Sequence, residues 1–75
     1  EDAREARERR VFDIYAAHLG RTPAFAEAGA GGKRVLLRML REMVQAAPLR
    51  AARVLDETMT LPEDKEEEVL GLLRG

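Results

Sequence analysis

The chain has no cysteine, serine, asparagine or tryptophan. Without cysteine there is no disulfide framework and no thiol chemistry. Without serine or cysteine the commonest nucleophiles are missing, and a single imidazole, His18, leaves few zinc-site designs open. Aromatics are reduced to two Phe and one Tyr, too few to give the stacking platforms that single-stranded nucleic acid needs. An excess of charge of one sign is also missing. The formal net charge is -1, so no bulk field draws the chain toward nucleic acid or an anionic membrane. No apolar run approaches the ~20 residues that span a bilayer, and no signal-peptide pattern opens the chain. No stretch alternates β-branched and polar residues, so no strand is expected. No internal repeat is present.

What is present is helical. Seventy-five residues make one domain near the lower size limit for independent folding. Hydrophobic residues are 45% of the chain, but twelve of them are alanine. The core is therefore aliphatic and small, and a stability of only ~3–5 kcal/mol is expected from this piece alone. The chain begins inside a charged helical pattern, without Met, and reads as a domain of a longer or processed protein. The cytoplasm is the default compartment.

The organising stretch is residues 33–47, KRVLLRMLREMVQAA. Leu36, Leu37, Leu40, Met43 and Val44 recur at offsets of three and four and fall on one helix side. Arg34, Arg38, Arg41 and Gln45 recur at the same spacing on the other side. Val35 and Met39 widen the apolar face, as expected of a central helix touched by more than one neighbour.

Residues 1–10 form a charged helical extension with no apolar face. Arg4/Glu8, Glu5/Arg9 and Arg9/Asp13 are spaced four apart, each pair contributing ~0.2–0.5 kcal/mol. A single helical-bundle domain then occupies residues 11–75. Val11, Phe12, Ile14, Tyr15 and Leu19 give the first helix, residues 2–19, its apolar stripe, and Gly20 ends it. Thr22 is placed to cap a short helix starting at Pro23, with Phe25 inserted into the core. Gly29, Ala30, Gly31 and Gly32 read as a flexible loop. Pro48 ends or bends the central helix and opens the next, residues 48–59, whose apolar positions are Leu49, Ala52, Leu55 and Met59. Thr60-Leu61-Pro62-Glu63 fits a capping box for a last helix, with Val69, Leu70 and Leu73 as its apolar edge and Gly75 closing it. The expected fold is all-α, a compact bundle of four to five short helices around the central helix 33–47.

Sites for chemistry are few. His18 lacks a second histidine or cysteine with which to share a metal, and an acid/base role needs a carboxylate partner that spacing does not place. Glu63, Asp64, Glu66, Glu67 and Glu68 form the densest acidic cluster, but they crowd the start of one helix, where acids complement the dipole. GAGGK, residues 29–33, departs from a phosphate-loop motif: Arg34 follows the lysine where Ser or Thr is needed, and no strand precedes it. No catalytic residue, metal site or cofactor is expected. Free amides at the start of the central helix with Lys33 and Arg34 could hold an anion, but an interhelix loop is the preferred account.

The charge order is more informative. Residues 33–53 carry six cations, Lys33, Arg34, Arg38, Arg41, Arg50 and Arg53, against the single anion Glu42. Residues 54–75 carry seven anions against two cations. Three readings follow. The two halves pair loosely within the molecule. The basic helix face docks another protein or another copy of the chain. Or Arg34, Arg38 and Arg41 contact nucleic-acid phosphates. The expectation adopted is a non-enzymatic helical interaction module, with a small nucleic-acid-binding domain as the alternative and no membrane partner. Lys33, Arg34, Arg38, Arg41, Arg50 and Arg53 are the candidate binding residues.

Overall fold

Apolar spacing and helix breakers place five helices in the order α1 (Ala3–Leu19), α2 (Pro23–Glu27), α3 (Gly29–Ala46), α4 (Pro48–Thr58) and α5 (Glu63–Arg74). The structure is a computed structural model that describes residues 3–74. The expected helix start at Asp2 and the closing role of Gly75 fall outside them. Among the described residues no strand forms, and the all-α bundle is the fold. α3 is central, packed against α1, α2 and α4, and α1 shares that position by meeting α3, α4 and α5.

The core consists of Val11, Ile14 and Tyr15 from α1, Leu40 and Val44 from α3, Ala51 and Ala52 from α4, Leu61 from the α4–α5 link and Val69 from α5. Val11, Ile14 and Tyr15 on α1, and Leu40 and Val44 on α3, follow helical spacing within their elements. The two alanines let α4 lie close to its neighbours. Tyr15 is fully enclosed, and its hydroxyl donates to Asp56 Oδ1 at 2.9 Å. That bond ties α1 to α4 and gives the buried phenol the partner it requires.

Two helix starts follow the sequence. Thr22 Oγ1 accepts from the Phe25 amide at 3.3 Å and donates to the Leu19 carbonyl at 2.7 Å, so one side chain stops α1 and caps α2. Pro48 opens α4 at its first position, where its missing N–H costs nothing.

Elsewhere the structure departs from the expectation. The glycine-rich stretch is the first turn of α3 and not a loop. Gly29 has φ +74, the left-handed conformation that ends α2 and lets the next helix start at once. Gly32 leaves room for the end of α2, since a Cβ there would lie 2.9 Å from the Ala28 Cβ. Phe25 is only half-buried and stays outside the core, because the main packing of α2 is on α3. Leu49 faces outward, 54% exposed. The phase of α4 is set by Ala51, Ala52, Leu55 and Met59, and Leu49 falls outside that stripe. Thr60 does not cap α5. The residue before a proline is disfavoured in helical geometry; Leu61 lies outside the helix and is buried, and the Pro62 carbonyl takes the first helical bond, from the Glu66 amide at 2.9 Å. On α5 the inward residues are Val69, Leu72 and Leu73, with Leu70 outward.

Of the three charge pairs expected along the first helix, Arg4–Glu8 closes at 3.2 Å. Glu5–Arg9 and Arg9–Asp13 are not among the ion pairs of the described residues.

Candidate interaction surface

Helical phase divides α3 into two sides. Leu40 and Val44 point into the core, with Leu36, Leu37 and Met43 half-buried beside them. Arg34, Val35, Arg38, Met39, Arg41, Glu42, Gln45 and Ala46 make up the exposed side. Val35 and Met39 therefore do not widen the packed face as expected. They are 44% and 52% exposed and stand beside Arg34 and Arg38 in open solvent. The physical reason is angular: the stripe through Leu36, Leu40 and Val44 already faces the neighbouring helices, and Val35 and Met39 lie well round the barrel from it.

The six candidate cations divide by environment. Lys33, half-buried near the start of α3, holds its ammonium 5.6 Å from the centroid of the Phe25 ring. The Arg41 guanidinium stands 5.2 Å from the centroid of Phe12 and turns toward α1. There it helps line a cleft of about 600 Å³ with Glu5, Glu8, Asp13 and Gln45. Arg34 and Arg38 are exposed one turn apart on α3, and Arg50 and Arg53 are exposed on α4 with Val54, 44% exposed, next to Arg53. Among the described residues none of these four makes a side-chain hydrogen bond, ion pair or ring contact. The sequence pattern thus brings Arg34, Arg38 and Arg41 onto one helix, but Arg41 alone of the three is engaged with an aromatic neighbour.

The opposite charge lies elsewhere. α5 packs on α1 and α4, and α3 packs on α1, α2 and α4. Among the described residues no ion pair joins a cation of α3 or α4 to an acid of α5, so the two halves do not neutralise each other within the molecule. The partner of the acidic helix is Arg10 of α1. Its guanidinium donates to both Glu68 oxygens, Nε to Oε2 at 2.6 Å and Nη2 to Oε1 at 3.1 Å. This bidentate bond holds the Glu68 carboxyl below the ordinary glutamate range, opposed by a smaller desolvation effect. Lys65 approaches the same carboxylate at 3.8 Å. Glu63, Asp64, Glu66 and Glu67 remain exposed and, among the described residues, without a cationic partner.

His18 is half-buried at the rim of a shallow pocket of about 190 Å³ that also contains Asp13, Asp64 and Lys65. Among the described residues no group of three or more His, Cys, Asp or Glu has a geometry that could hold a metal. None of the described helices is long and apolar enough to cross a membrane.

Sequence reasoning assigned Val35, Met39 and Leu70 to packed faces and did not single out Val54, whereas all four are exposed. The available signal was the phase of each helix relative to its most apolar stripe, which separates a residue at the centre of a face from one at its margin. No protein-family model, curated protein or solved structure matches this chain.

Proposed function

We propose that this chain is a helical interaction module that docks an acidic, partly apolar protein surface through α3 and the adjoining side of α4. The observation behind this reading is the pairing of open charge with open apolar area. Arg34 and Arg38 have no carboxylate within ion-pair distance among the described residues, and Met39 and Val35 lie exposed beside them. Arg50, Arg53 and Val54 repeat the combination on α4. A solvated surface needs the arginines but has no use for the methionine. A phosphate backbone also takes arginines, and it leaves apolar side chains unpaired. A partner helix with acids and a leucine on one face would use both.

The test is a titration with two probes at low and at high salt. One is a synthetic amphipathic helix with glutamates four residues apart and a leucine on the same face. The other is a random DNA duplex. The acidic helix should bind saturably at low salt. R34A/R38A and M39A should each weaken it by about fivefold or more, as anchor residues do. Absence of binding to the acidic helix, or insensitivity to M39A, removes the reading. A steep salt-dependent binding of the duplex would favour phosphate contact instead.

A further inference from the structure

We propose that the acidic partner of the α3 face is a second copy of this chain, with its α5 laid along α3 in the parallel direction. The proposal deepens the docking reading and rests on it.

The argument starts from the outermost stripe of each helix. On α3, Arg34 and Arg38 are four residues apart, with Met39 beside them and Glu42 four further on. On α5, Glu63 and Glu67 are four apart, followed by Leu70 and then Arg74. All eight are exposed. Glu63, Glu67, Leu70 and Arg74 follow one another at four, three and four residues, so they share one exposed stripe turned away from the buried Val69, the crest of α5. The order of sign along α3 is plus, plus, minus, and along α5 it is minus, minus, plus. Each arginine pair and each glutamate pair rises by about 6 Å along its axis. With the helices parallel, Arg34 meets Glu63 and Arg38 meets Glu67. Leu70 then falls about 3 Å beyond Met39, within side-chain contact, and Arg74 falls about 4.5 Å beyond Glu42, within the reach of a long side chain. In the reverse direction Leu70 lies opposite Gly31, and Met39 stays uncovered.

Within one molecule the complementarity is left unsatisfied: among the described residues no ion pair joins Arg34 or Arg38 to Glu63 or Glu67. Glu68, the acid already held by Arg10, lies off the crest and remains with α1. The contact joins two different faces, so it is heterologous. Each added copy presents a fresh basic face at one end and a fresh acidic face at the other. Association by this route grows with concentration and does not stop at a closed dimer. It also weakens with salt, since these are exposed charges.

Sedimentation velocity over about two decades of concentration, at ionic strengths of about 0.01 M and about 1 M, tests it. The expected result is concentration-dependent growth in the low-salt series that collapses in the high-salt one. Reversing the α3 face in R34E/R38E, or the α5 crest in E63R/E67R, should each give a monomer with an unchanged circular dichroism spectrum. An equimolar mixture of the two reversed chains should associate again, because each then carries the sign its partner lacks. Should E63R/E67R fail to fold, L70A leaves the first turn of α5 intact and should weaken self-association by about tenfold. A monomeric chain throughout the low-salt series overturns the proposal. So does self-association that survives R34E/R38E, or a mixture that stays monomeric. A monomeric chain that still binds the synthetic acidic helix would remove the second copy as partner and leave the docking face in place.

Discussion

Tyr15 and Asp56, forty-one positions apart, are joined by a 2.9 Å hydrogen bond in which the enclosed phenol of α1 donates to the carboxylate of α4. It is the one side-chain to side-chain hydrogen bond among the described residues that is not exposed. The ring fills the space between helices while its hydroxyl reaches the edge of the core, where Asp56 is exposed to water. Burial first, and the bond to Asp56 second, push the phenol well above its ordinary ionisation range.

Y15F removes the donor and keeps the ring. Because Asp56 can be rehydrated, the expected loss is that of one hydrogen bond, about 0.5–1.5 kcal/mol. Y15A removes the ring as well and costs about 3–5 kcal/mol, comparable with the whole stability expected of so small a core. Urea unfolding of the two variants should therefore give one shifted transition and one chain that is largely unfolded. The bond also sets an alkaline limit. The folded phenol ionises at higher pH than the unfolded one, so its contribution is complete below the unfolded value of about 10 and is lost as pH rises through the folded value. Y15F should flatten the stability profile in that window.

Glu68 sets an acid limit of opposite sign. Its folded-state ionisation is lowered, chiefly by the hydrogen bond from Arg10. The stabilisation is present above the unfolded glutamate range and is lost as pH falls through the lower folded value. Carboxyl-resolved NMR titration should find Glu68 ionising below the ordinary glutamate range. R10Q should return it toward that range, and E68Q should remove the corresponding part of the acid transition.

The glycines before the central helix should respond to alanine in three different ways. At Gly29 the left-handed φ of +74 makes a side chain cost about 1–2 kcal/mol, although nothing lies within 4 Å. At Gly31 there is open space and an ordinary helical backbone, so alanine should stabilise by up to about 1 kcal/mol. At Gly32 the new Cβ meets that of Ala28, and G32A should be tolerated better in an A28G background. Thermal unfolding of the four chains checks all of this at once.

Surface and core should separate cleanly on α3. R38A alters an exposed arginine without a partner among the described residues and should change stability by less than about 0.5 kcal/mol. L40A, two positions on, empties a buried site and should cost about 2–5 kcal/mol. Comparable losses for both would mean that Arg38 is not a free surface group.

The helices were legible in the sequence because breakers and apolar spacing act locally. Thr22, Pro23 and Pro48 mark their helix starts wherever the chain later packs. The candidate surface was legible in its charges and obscured in its apolar members. Leu49, Leu70, Val35 and Met39 have the composition of core residues, and a helical pattern alone does not say where the buried arc ends. That limit is set by the neighbouring helices.

By itself, then, the order of residues determined that the chain is helical, where most of its helices begin and end, and that positive and negative charge occupy successive halves. These depend on backbone preferences and on spacing within a few turns. Tertiary packing alone decided that Leu61 fills the core and that Arg10 takes Glu68. It also decided that the basic and acidic helices lie on α1 and α4 without neutralising each other. Such outcomes depend on which faces meet across distant parts of the chain, and no local rule contains that information.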